Sequence, residues 1–387
     1  PISRANKLIC NIDLVTDNSL TTAERAQYKA EAKIFRAMVM FDMVRLWGDF
    51  PVITTVADDI TSENIDEVYP QYFPKQNTEL EAYQQIEKDL LDAVLYAPDN
   101  TPGNKTLFSK SVARTLLAKI YAEKPLRDYT KVIQYCDEVK ADGFDLVDDF
   151  SDLFGMNAAG TDAKMRNTKE SILEAQFTSG AGNWCTWMFG RDLVNWNNNF
   201  TWAKWVTPSR DLISAFKQEG DEVRFKESIV YYDCNWSNYY PSDNYPFMYK
   251  CRSANSSIIK YRYADVLLLK AEALIMQDTP DLEGAADIID EVRDRAKLGA
   301  LPTSVRSNKN VLLNALLKER RLELAFEGQR WFDLVRLDKV EEVMNAVYAK
   351  DSGRKAQIYT FDKNSYRLPI PQSVIDANDK IHQNPGY

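Results

Sequence analysis

The stretch EAKIFRAMVMFDMVRLW, residues 31–47, carries the clearest signal for the fold. Ile34, Met38 and Phe41 recur at the three- and four-residue spacing that places side chains on one face of a helix. The following GDFP, residues 48–51, supplies the glycine and proline that commonly end a helix. Further segments with helical spacing predict a mainly α fold. These segments are residues 79–96, 109–122, 129–141, 260–276, 282–297, 308–326 and 330–347.

The last residues of this helix are nearly repeated close to the other end of the chain. Residues 41–46 read FDMVRL and residues 332–337 read FDLVRL. In each copy the Asp and the Arg are three positions apart, so on a helix they can form an ion pair worth roughly a few tenths of a kcal/mol. Because the neighbouring residues are apolar, we interpret both copies as scaffold rather than as a substrate-binding motif.

A second internal similarity indicates helix pairs. The tripeptide DEV occurs at residues 137–139 and again at 290–292, an offset of 153 (290 minus 137), and at the same offset Ala118 aligns with Ala271. Small residues on one helix, a short polar turn and a second helix with regular apolar positions are typical of tetratricopeptide-like pairs. Such pairs bury their apolar faces only by stacking, so we predict an array of them.

A central region interrupts the helical pattern. It is rich in Asn, Gly, Ser and aromatic residues, and its best strand candidate is SILEAQF, residues 171–177. We therefore predict a single domain over residues 1–387, in which helix pairs are joined by a long irregular insertion with little β structure. The predicted parts are a helical repeat scaffold over about 1–141 and 256–350, an irregular ligand-binding insertion over about 142–255 and a C-terminal tail over 351–387.

Composition narrows the range of functions. The chain carries 57 acidic and 48 basic residues, a net charge of -9, and no run of Lys and Arg, so nucleic acid is not an expected partner. No segment approaches the roughly 20 consecutive apolar residues that span a bilayer. Five cysteines without a CxxC pair indicate neither a zinc site nor a dense disulfide framework, and we expect no cofactor. The single histidine is His382. One histidine leaves little room for His-based catalysis.

The insertion contains most of the tryptophans. Six of the eight lie between positions 184 and 236, interleaved with asparagines and followed by tyrosines. Flat aromatic rings match the apolar C–H face of a sugar, and amide side chains match its hydroxyl groups, so this composition suits a glycan platform. Large aromatic residues also fill protein cores, which is the alternative interpretation at each position. The candidate ligand-binding residues are Trp184, Trp187, Asn195, Trp196, Asn198, Trp236, Tyr239 and Tyr240.

Six blocks of the chain carry a resemblance to a known family. The blocks are EAKIFRAMVMFDMVRLWGDFPVI (31–53), PSRDLISAFKQEGDEVRF (208–225), YRYADVLLLKAEALI (261–275), LLKERRLELAFEGQRWFDLVRL (316–337), YRLPIPQSVI (366–375) and QNPGY (383–387). In their order and spacing they resemble the SusD/RagB family of outer-membrane nutrient-binding lipoproteins of Bacteroides-type bacteria. The resemblance covers nearly the whole chain.

The resemblance implies four tetratricopeptide-like helix pairs and a more irregular half that carries a glycan site. It also implies a cell-surface lipoprotein of the outer membrane, which lids a SusC-like TonB-dependent transporter and passes oligosaccharides to it without catalysis. Family members usually have a signal peptide, a lipidated cysteine and a further stretch before the EAK helix, whereas about 30 residues precede it here. We therefore expect membrane contact only through a lipid anchor that is absent from this sequence.

Two other functions stay open at this point. A glycoside hydrolase needs only two carboxylates roughly 5 to 10 Å apart, and 57 acidic residues do not exclude such a pair. A tetratricopeptide-type scaffold that binds a peptide or a protein in its concave groove is the other alternative. The insertion of more than 100 residues, 142–255, argues against it because an ordinary repeat array does not require one.

Overall fold

Helices dominate the structure. The computed structural model describes residues 1–178, 182–183, 207–234, 239–350 and 360–387. Most of these residues are helical and their strands are short, so the prediction of a mainly α fold is confirmed. No helix within these ranges is long and apolar enough to cross a membrane. The contacts divide the chain into two compact units, the first comprising 1–100, 107–135 and 331–387 and the second comprising 101–106 and 136–330.

The described residues form sixteen α-helices and four short strands. The helices are α1 (Ile2–Asn11), α2 (Thr22–Trp47), α3 (Ile65–Val68), α4 (Glu79–Tyr96), α5 (Lys110–Ala122), α6 (Tyr129–Ala141), α7 (Ser151–Phe154), α8 (Arg210–Glu219), α9 (Glu222–Ser228), α10 (Tyr263–Met276), α11 (Leu282–Arg295), α12 (Thr303–Arg306), α13 (Lys309–Glu323), α14 (Arg330–Arg336), α15 (Val340–Lys350) and α16 (Gln372–Ala377). The strands are β1 (Ser171–Ala175), β2 (Ile229–Tyr232), β3 (Tyr245–Met248) and β4 (Ile258–Arg262).

The first unit has the packing of α2 against α4 at its centre. Thr21 and Glu24 form a reciprocal capping box at the start of α2, and α4 begins with a box of the same kind. Such a box satisfies backbone N–H groups that the first helical turn leaves without partners. Between the two helices Phe41 meets Tyr83 edge to face, with ring centroids 6.1 Å apart. Both rings are buried, so the amphipathic pattern of residues 31–47 does form a core-facing helix.

A buried ion pair links α2 to α4 within the first unit. Arg36 donates to both carboxylate oxygens of Asp89, from Nε at 2.8 Å and from Nη2 at 2.7 Å. Its remaining nitrogen, Nη1, donates to Asn6 Oδ1 on α1 and to the carbonyl oxygen of Thr54. Both charged side chains are at least 96% buried, so each depends on the other for compensation of its charge. One guanidinium thus links α2 to α1, to α4 and to the segment at Thr54.

The two copies of the repeated hexapeptide meet in the first unit. Asp42 pairs with Arg45 at 2.7 Å and Asp333 pairs with Arg336 at 3.0 Å, which confirms the ion pairs expected from the sequence. The guanidinium carbon of Arg45, in the first copy, lies 3.9 Å from the ring centroid of Phe332, in the second. This is a cation–π contact between the copies. Three of the four charged residues are buried, which supports the interpretation of both copies as scaffold.

The second unit contains two antiparallel strand pairs, β1 with β4 and β2 with β3. In the same unit α10 packs against α11, with Ala271 and Ile289 fully buried. This is one of the two helix pairs that the internal similarity indicates. The tetratricopeptide-like stacking of several such pairs stays a prediction.

Several features depart from the sequence-based expectations. The helix expected over 260–276 begins at Tyr263, because residues 258–262 form β4. The helix expected over 330–347 is two helices, α14 and α15, because Asp338 between them has a φ of 54°. An α-helix requires negative φ, and Asp is one of the few residues that tolerates the left-handed region. The strand expected over 171–177 ends at Ala175, and the expected irregular insertion contains α7, α8 and α9. The division into scaffold, insertion and tail stays a prediction.

A cluster of oppositely charged side chains lies inside the second unit, and we call it the buried charge cluster. At its centre the fully buried carboxylate of Glu323 accepts hydrogen bonds from three guanidinium groups, those of Arg224, Arg262 and Arg295. Burial alone would raise the pKa of Glu323, but the three guanidinium groups hold it well below its usual range. The members of the cluster are Glu170, Asp221, Arg224, Lys250, Arg262, Arg295, Glu319, Glu323 and Glu327.

Lys250 should make the stability of the second unit depend on pH. Its Nζ donates to Glu327 Oε1 at 2.6 Å and to the Glu323 carbonyl oxygen at 3.0 Å. Burial lowers the pKa of Lys250 to about 8, although the carboxylate of Glu327 opposes this shift. Above pH 8 the folded chain loses this proton while the unfolded chain, with a lysine pKa near 10.4, still keeps it. We therefore expect the free energy of unfolding to rise by about 2 kcal/mol between pH 7 and pH 10.

Urea denaturation at pH 7, 8.5 and 10 measures this rise. The matched comparison is Lys250→Met, which keeps the length of the side chain but has no group that titrates in this range. The variant should lack the lysine-dependent part of the rise. If wild type and variant gain equal stability over the interval, the ammonium of Lys250 does not have the lowered pKa described above.

Candidate functional site

An open cleft of about 430 Å³ lies on the second unit, and we call it the aromatic cleft. Its volume falls in the range of about 300 to 1,000 Å³ that is typical of small-molecule pockets. One wall comes from α8 and the other from β2 and the segment before β3. The lining residues are Arg210, Ile213, Ser214, Lys217, Gln218, Tyr231, Tyr240, Pro241 and Asn244.

The helical wall is polar because of the spacing of its residues. Ser209 caps the first turn of α8 by accepting a hydrogen bond from the backbone N–H of Leu212 at 3.1 Å. From this start, positions 210, 214, 217 and 218 recur at four and three residues, so their side chains share one face of the helix. The opposite face, which includes Phe216, is buried against α13 and β2. The helix therefore presents two cations, a hydroxyl and an amide to the cleft.

The second wall is aromatic. Tyr231 on β2 and Tyr240 both pack on the hydrophobic cluster under α8, which leaves each ring half-buried. The Tyr240 hydroxyl donates to the carbonyl oxygen of Pro208 at 2.8 Å, and its ring meets Tyr245 edge to face at 5.6 Å. Burial raises the pKa of Tyr240 above its usual value, so this hydroxyl stays protonated at neutral pH. The hydroxyl and the ring of Tyr240 are thus both fixed by contacts.

Arg210 joins the two walls. Its guanidinium carbon lies 4.0 Å from the ring centroid of Tyr239 and 5.0 Å from that of Tyr240, and its Nη2 donates to the Tyr239 carbonyl oxygen. Tyr239 and Tyr240 also meet edge to face at 4.8 Å. A guanidinium that stacks on a ring loses little further freedom on binding a ligand, because its plane is already oriented. Arg210 is a residue of the cleft that composition did not single out.

The structure describes two of the eight candidate binding residues, and both are at the cleft. Tyr240 lines it, and Tyr239 lies against Arg210 at its edge. The residues that sequence reasoning missed are Arg210, Ser214, Lys217, Gln218, Tyr231 and Asn244. The polar positions of helix 210–219 were visible as a stripe with helical spacing, but such a stripe usually only faces solvent. The candidates that lie outside the described residues are Trp184, Trp187, Asn195, Trp196, Asn198 and Trp236.

The chemistry of the cleft is that of recognition by stacking and hydrogen bonding. Guanidinium, ammonium, amide and hydroxyl groups offer donors and acceptors beside aromatic rings. Among the described residues that line it there is no Asp or Glu, so they supply no pair of carboxylates of the kind a glycoside hydrolase requires. Over the described ranges, no group of three or more His, Cys, Asp or Glu residues is placed to hold a metal ion. The fold and the cleft define a mainly helical protein with a polar and aromatic ligand cleft.

Comparison with known proteins identifies the family. A model described as the SusD family matches residues 243–387, and a model described as starch-binding associating with outer membrane matches residues 1–122. SusD-like protein P2 of Formosa agariphila is 28% identical over 100% of this chain and 78% of its own length. The chain belongs to the SusD/RagB family, as its sequence blocks indicated.

Solved structures show the same fold. A SusD homolog from Bacteroides thetaiotaomicron superposes with a TM-score of 0.77 at 23% identity, over 100% of this chain and 84% of that chain. Surface glycan-binding protein A from the same species, solved in complex with laminarihexaose, superposes with a TM-score of 0.75 at 19% identity, over 99% of this chain and 83% of that one. At these identities the similarity establishes the architecture, and the ligand must be argued from the cleft.

Proposed function

We propose that this protein binds oligosaccharide or polysaccharide chains in the aromatic cleft and does not cleave them. It acts at the outer membrane, on the cell surface, and delivers oligosaccharides to a SusC-like TonB-dependent transporter. The lipid anchor expected for the family would hold it there. The observation that carries the proposal is the pairing of half-buried tyrosine rings with a polar helix face across one cleft.

Each wall matches one part of a sugar ring. The rings of Tyr231 and Tyr240 offer flat apolar surfaces for the C–H face of a pyranose, and such contacts bury area at low cost in side-chain entropy. Ser214, Gln218 and Asn244 can donate to or accept from the equatorial hydroxyl groups. Because the cleft is open at its surface, a bound glycan can extend beyond it.

The relatives support the same class of ligand. The family model that matches residues 1–122 is described as starch-binding and as associating with the outer membrane. The structurally similar surface glycan-binding protein A was solved with a laminarihexaose, a short glucan. These descriptions concern other proteins, and they agree with the chemistry of the cleft. The six candidate residues in 184–198 and at 236 stay predicted contributors to the same binding surface.

Affinity electrophoresis tests the proposal directly. The native protein is run through gels that contain plant, host or microbial polysaccharides, and the same mixtures are assayed for new reducing ends. Retardation by one or a few glycans without new reducing ends is the expected result. Release of reducing ends would contradict the non-catalytic part of the proposal, and mobility unchanged in every gel would contradict glycan binding.

Removal of one aromatic ring should weaken binding and leave the fold intact. For Tyr240→Ala, and separately for Trp236→Ala, we expect a loss of roughly 1 to 3 kcal/mol in the free energy of binding, because each removes a stacking surface. Isothermal titration calorimetry with the retarding glycan measures the loss, and far-UV circular dichroism checks the helix content. The control is Tyr69→Ala, an exposed tyrosine in the first unit. Equal losses of binding free energy in Tyr240→Ala and Tyr69→Ala would show that the cleft is not part of the glycan-binding site.

A further inference from the structure

We infer that the aromatic cleft prefers glycans that carry negative charges, as carboxylate or sulfate ester groups, over neutral glycans. The inference rests on the proposed function and names its substrate class. It follows from the sign of the charges that line the cleft. Arg210 and Lys217 are cationic, and the other described lining residues are neutral. A chain with a net charge of -9 therefore has a locally cationic ligand site.

The acidic residues of α8 do not offset these cations, because other cations hold them. Asp211 pairs with Arg321 at 2.7 Å. Glu219 pairs with Arg293 at 2.7 Å and also with Lys318. Neither carboxylate lines the cleft. Among the described residues that line the cleft, the charged groups are therefore the two cations of its polar wall.

Lys217 is the cation best placed to meet a charged ligand. Its side chain is exposed, and it forms no ion pair with any residue that the structure describes. An ammonium on a flexible stem can follow a carboxylate or sulfate oxygen without a fixed approach angle. Because no ion pair with a described residue has to break, no carboxylate of the described ranges competes with the ligand for this ammonium.

Arg210 provides the complementary, oriented cation. Its guanidinium is fixed by the rings of Tyr239 and Tyr240 and by the Tyr239 carbonyl. A guanidinium can present two parallel N–H groups to a carboxylate or a sulfate. Arg210 and Lys217 are seven positions apart, which places them about 10 Å apart along the helix axis. A glycan that runs along α8 can thus meet the two cations with charged substituents on different sugar residues.

The inference predicts a particular dependence on salt. Charges at the surface of an open cleft are screened at high ionic strength, with a Debye length of about 10 Å at 0.1 M and about 3 Å at 1 M. Stacking of sugars on tyrosine rings depends much less on salt. Affinity for an anionic glycan should therefore fall as salt rises, while affinity for a neutral glycan of the same backbone should stay nearly constant.

Matched pairs of glycans test the inference. Oligogalacturonate is compared with its carboxyl-reduced form, and a sulfated galactan with its desulfated form, by calorimetry at 20 mM and 500 mM salt. At low salt we expect the anionic member of at least one pair to bind about five times as tightly as its neutral partner, or more. One contact between unit charges in water provides a factor of this size. Preference within the first pair identifies carboxylate as the recognised group, and preference within the second identifies sulfate.

Two variants connect the preference to the cleft. Lys217→Gln should lower affinity for the anionic member by about fivefold more than it lowers affinity for the neutral member. Lys226→Gln removes an exposed lysine of α9 that does not line the cleft, and it should change neither. Neutral members that bind as tightly as anionic ones would overturn the inference and leave the proposed function intact. Failure of all four glycans to bind would count against both.

Discussion

Replacing Glu323 by Gln is expected to lower the free energy of unfolding by about 3 to 5 kcal/mol. In the wild type this carboxylate is fully buried and accepts hydrogen bonds from Arg224, Arg262 and Arg295. The amide of the variant has nearly the same shape, but it has no charge and accepts through one oxygen only. Each of the three buried guanidinium groups would then lose one of its two or three carboxylate partners, and removal of one partner is the costly way to break a buried ion network.

Denaturation by guanidinium chloride or urea measures this loss in the free energy of unfolding. The control is Glu283→Gln, whose carboxylate pairs with Arg306 but has a side chain 72% exposed. A surface ion pair of this kind contributes about 0 to 1 kcal/mol, so the control should unfold almost as the wild type does. Similar midpoints for Glu323→Gln and the wild type would show that the cluster is not a source of stability. Because α13 also supplies Leu322 to the core under α8, this variant should weaken the cleft indirectly.

Replacing Asp89 by Ala is expected to cost a similar amount, about 3 to 5 kcal/mol, in the first unit. The substitution leaves the buried guanidinium of Arg36 with only Asn6 and the carbonyl oxygen of Thr54 as partners. Neither partner carries a charge. The cost therefore comes from an uncompensated buried cation rather than from the loss of one hydrogen bond.

The matched control for Asp89 lies one turn further along the same helix. Asp92→Ala breaks the pair of Asp92 with Lys33, which also joins α4 to α2 but has a carboxylate 47% exposed. We expect a loss below about 1 kcal/mol for this variant because water solvates both charges once they separate. Thermal and urea denaturation of the two variants should differ clearly. Equal losses would mean that burial of the Arg36–Asp89 pair has no energetic consequence.

Much of the fold could be predicted because its signals are local. The predicted limits of the helices at 79–96 and 129–141 agree with α4 and α6, and the helix expected over 31–47 ends where α2 ends. Glycine, proline and capping residues act within a few positions, so they can be recognised without knowledge of the partner. The break at Asp338 was missed because a single residue with positive φ leaves the apolar pattern on both sides intact.

The candidate site was predictable only in part. A composition rich in Trp, Asn and Tyr indicated the region, and Tyr239 and Tyr240 do lie at the cleft. Composition could not indicate Tyr231, because one tyrosine in a short strand has no distinguishing neighbours. Nor could it indicate Arg210 and Lys217, since exposed cations on a helix are ordinary. Their significance arises from the walls that face them.

The sequence by itself determined the helical class, the limits of several helices, the scaffold role of the repeated hexapeptide and membership of the SusD/RagB family. These follow from periodicity, caps and ordered blocks, each of which lies within one stretch of chain. Only the tertiary structure decided which distant residues meet. Glu323 pairs with Arg262, 61 positions away, and Glu170 with Arg295, 125 positions away. Burial makes these contacts strong, and burial is a property of the assembled packing rather than of any local pattern.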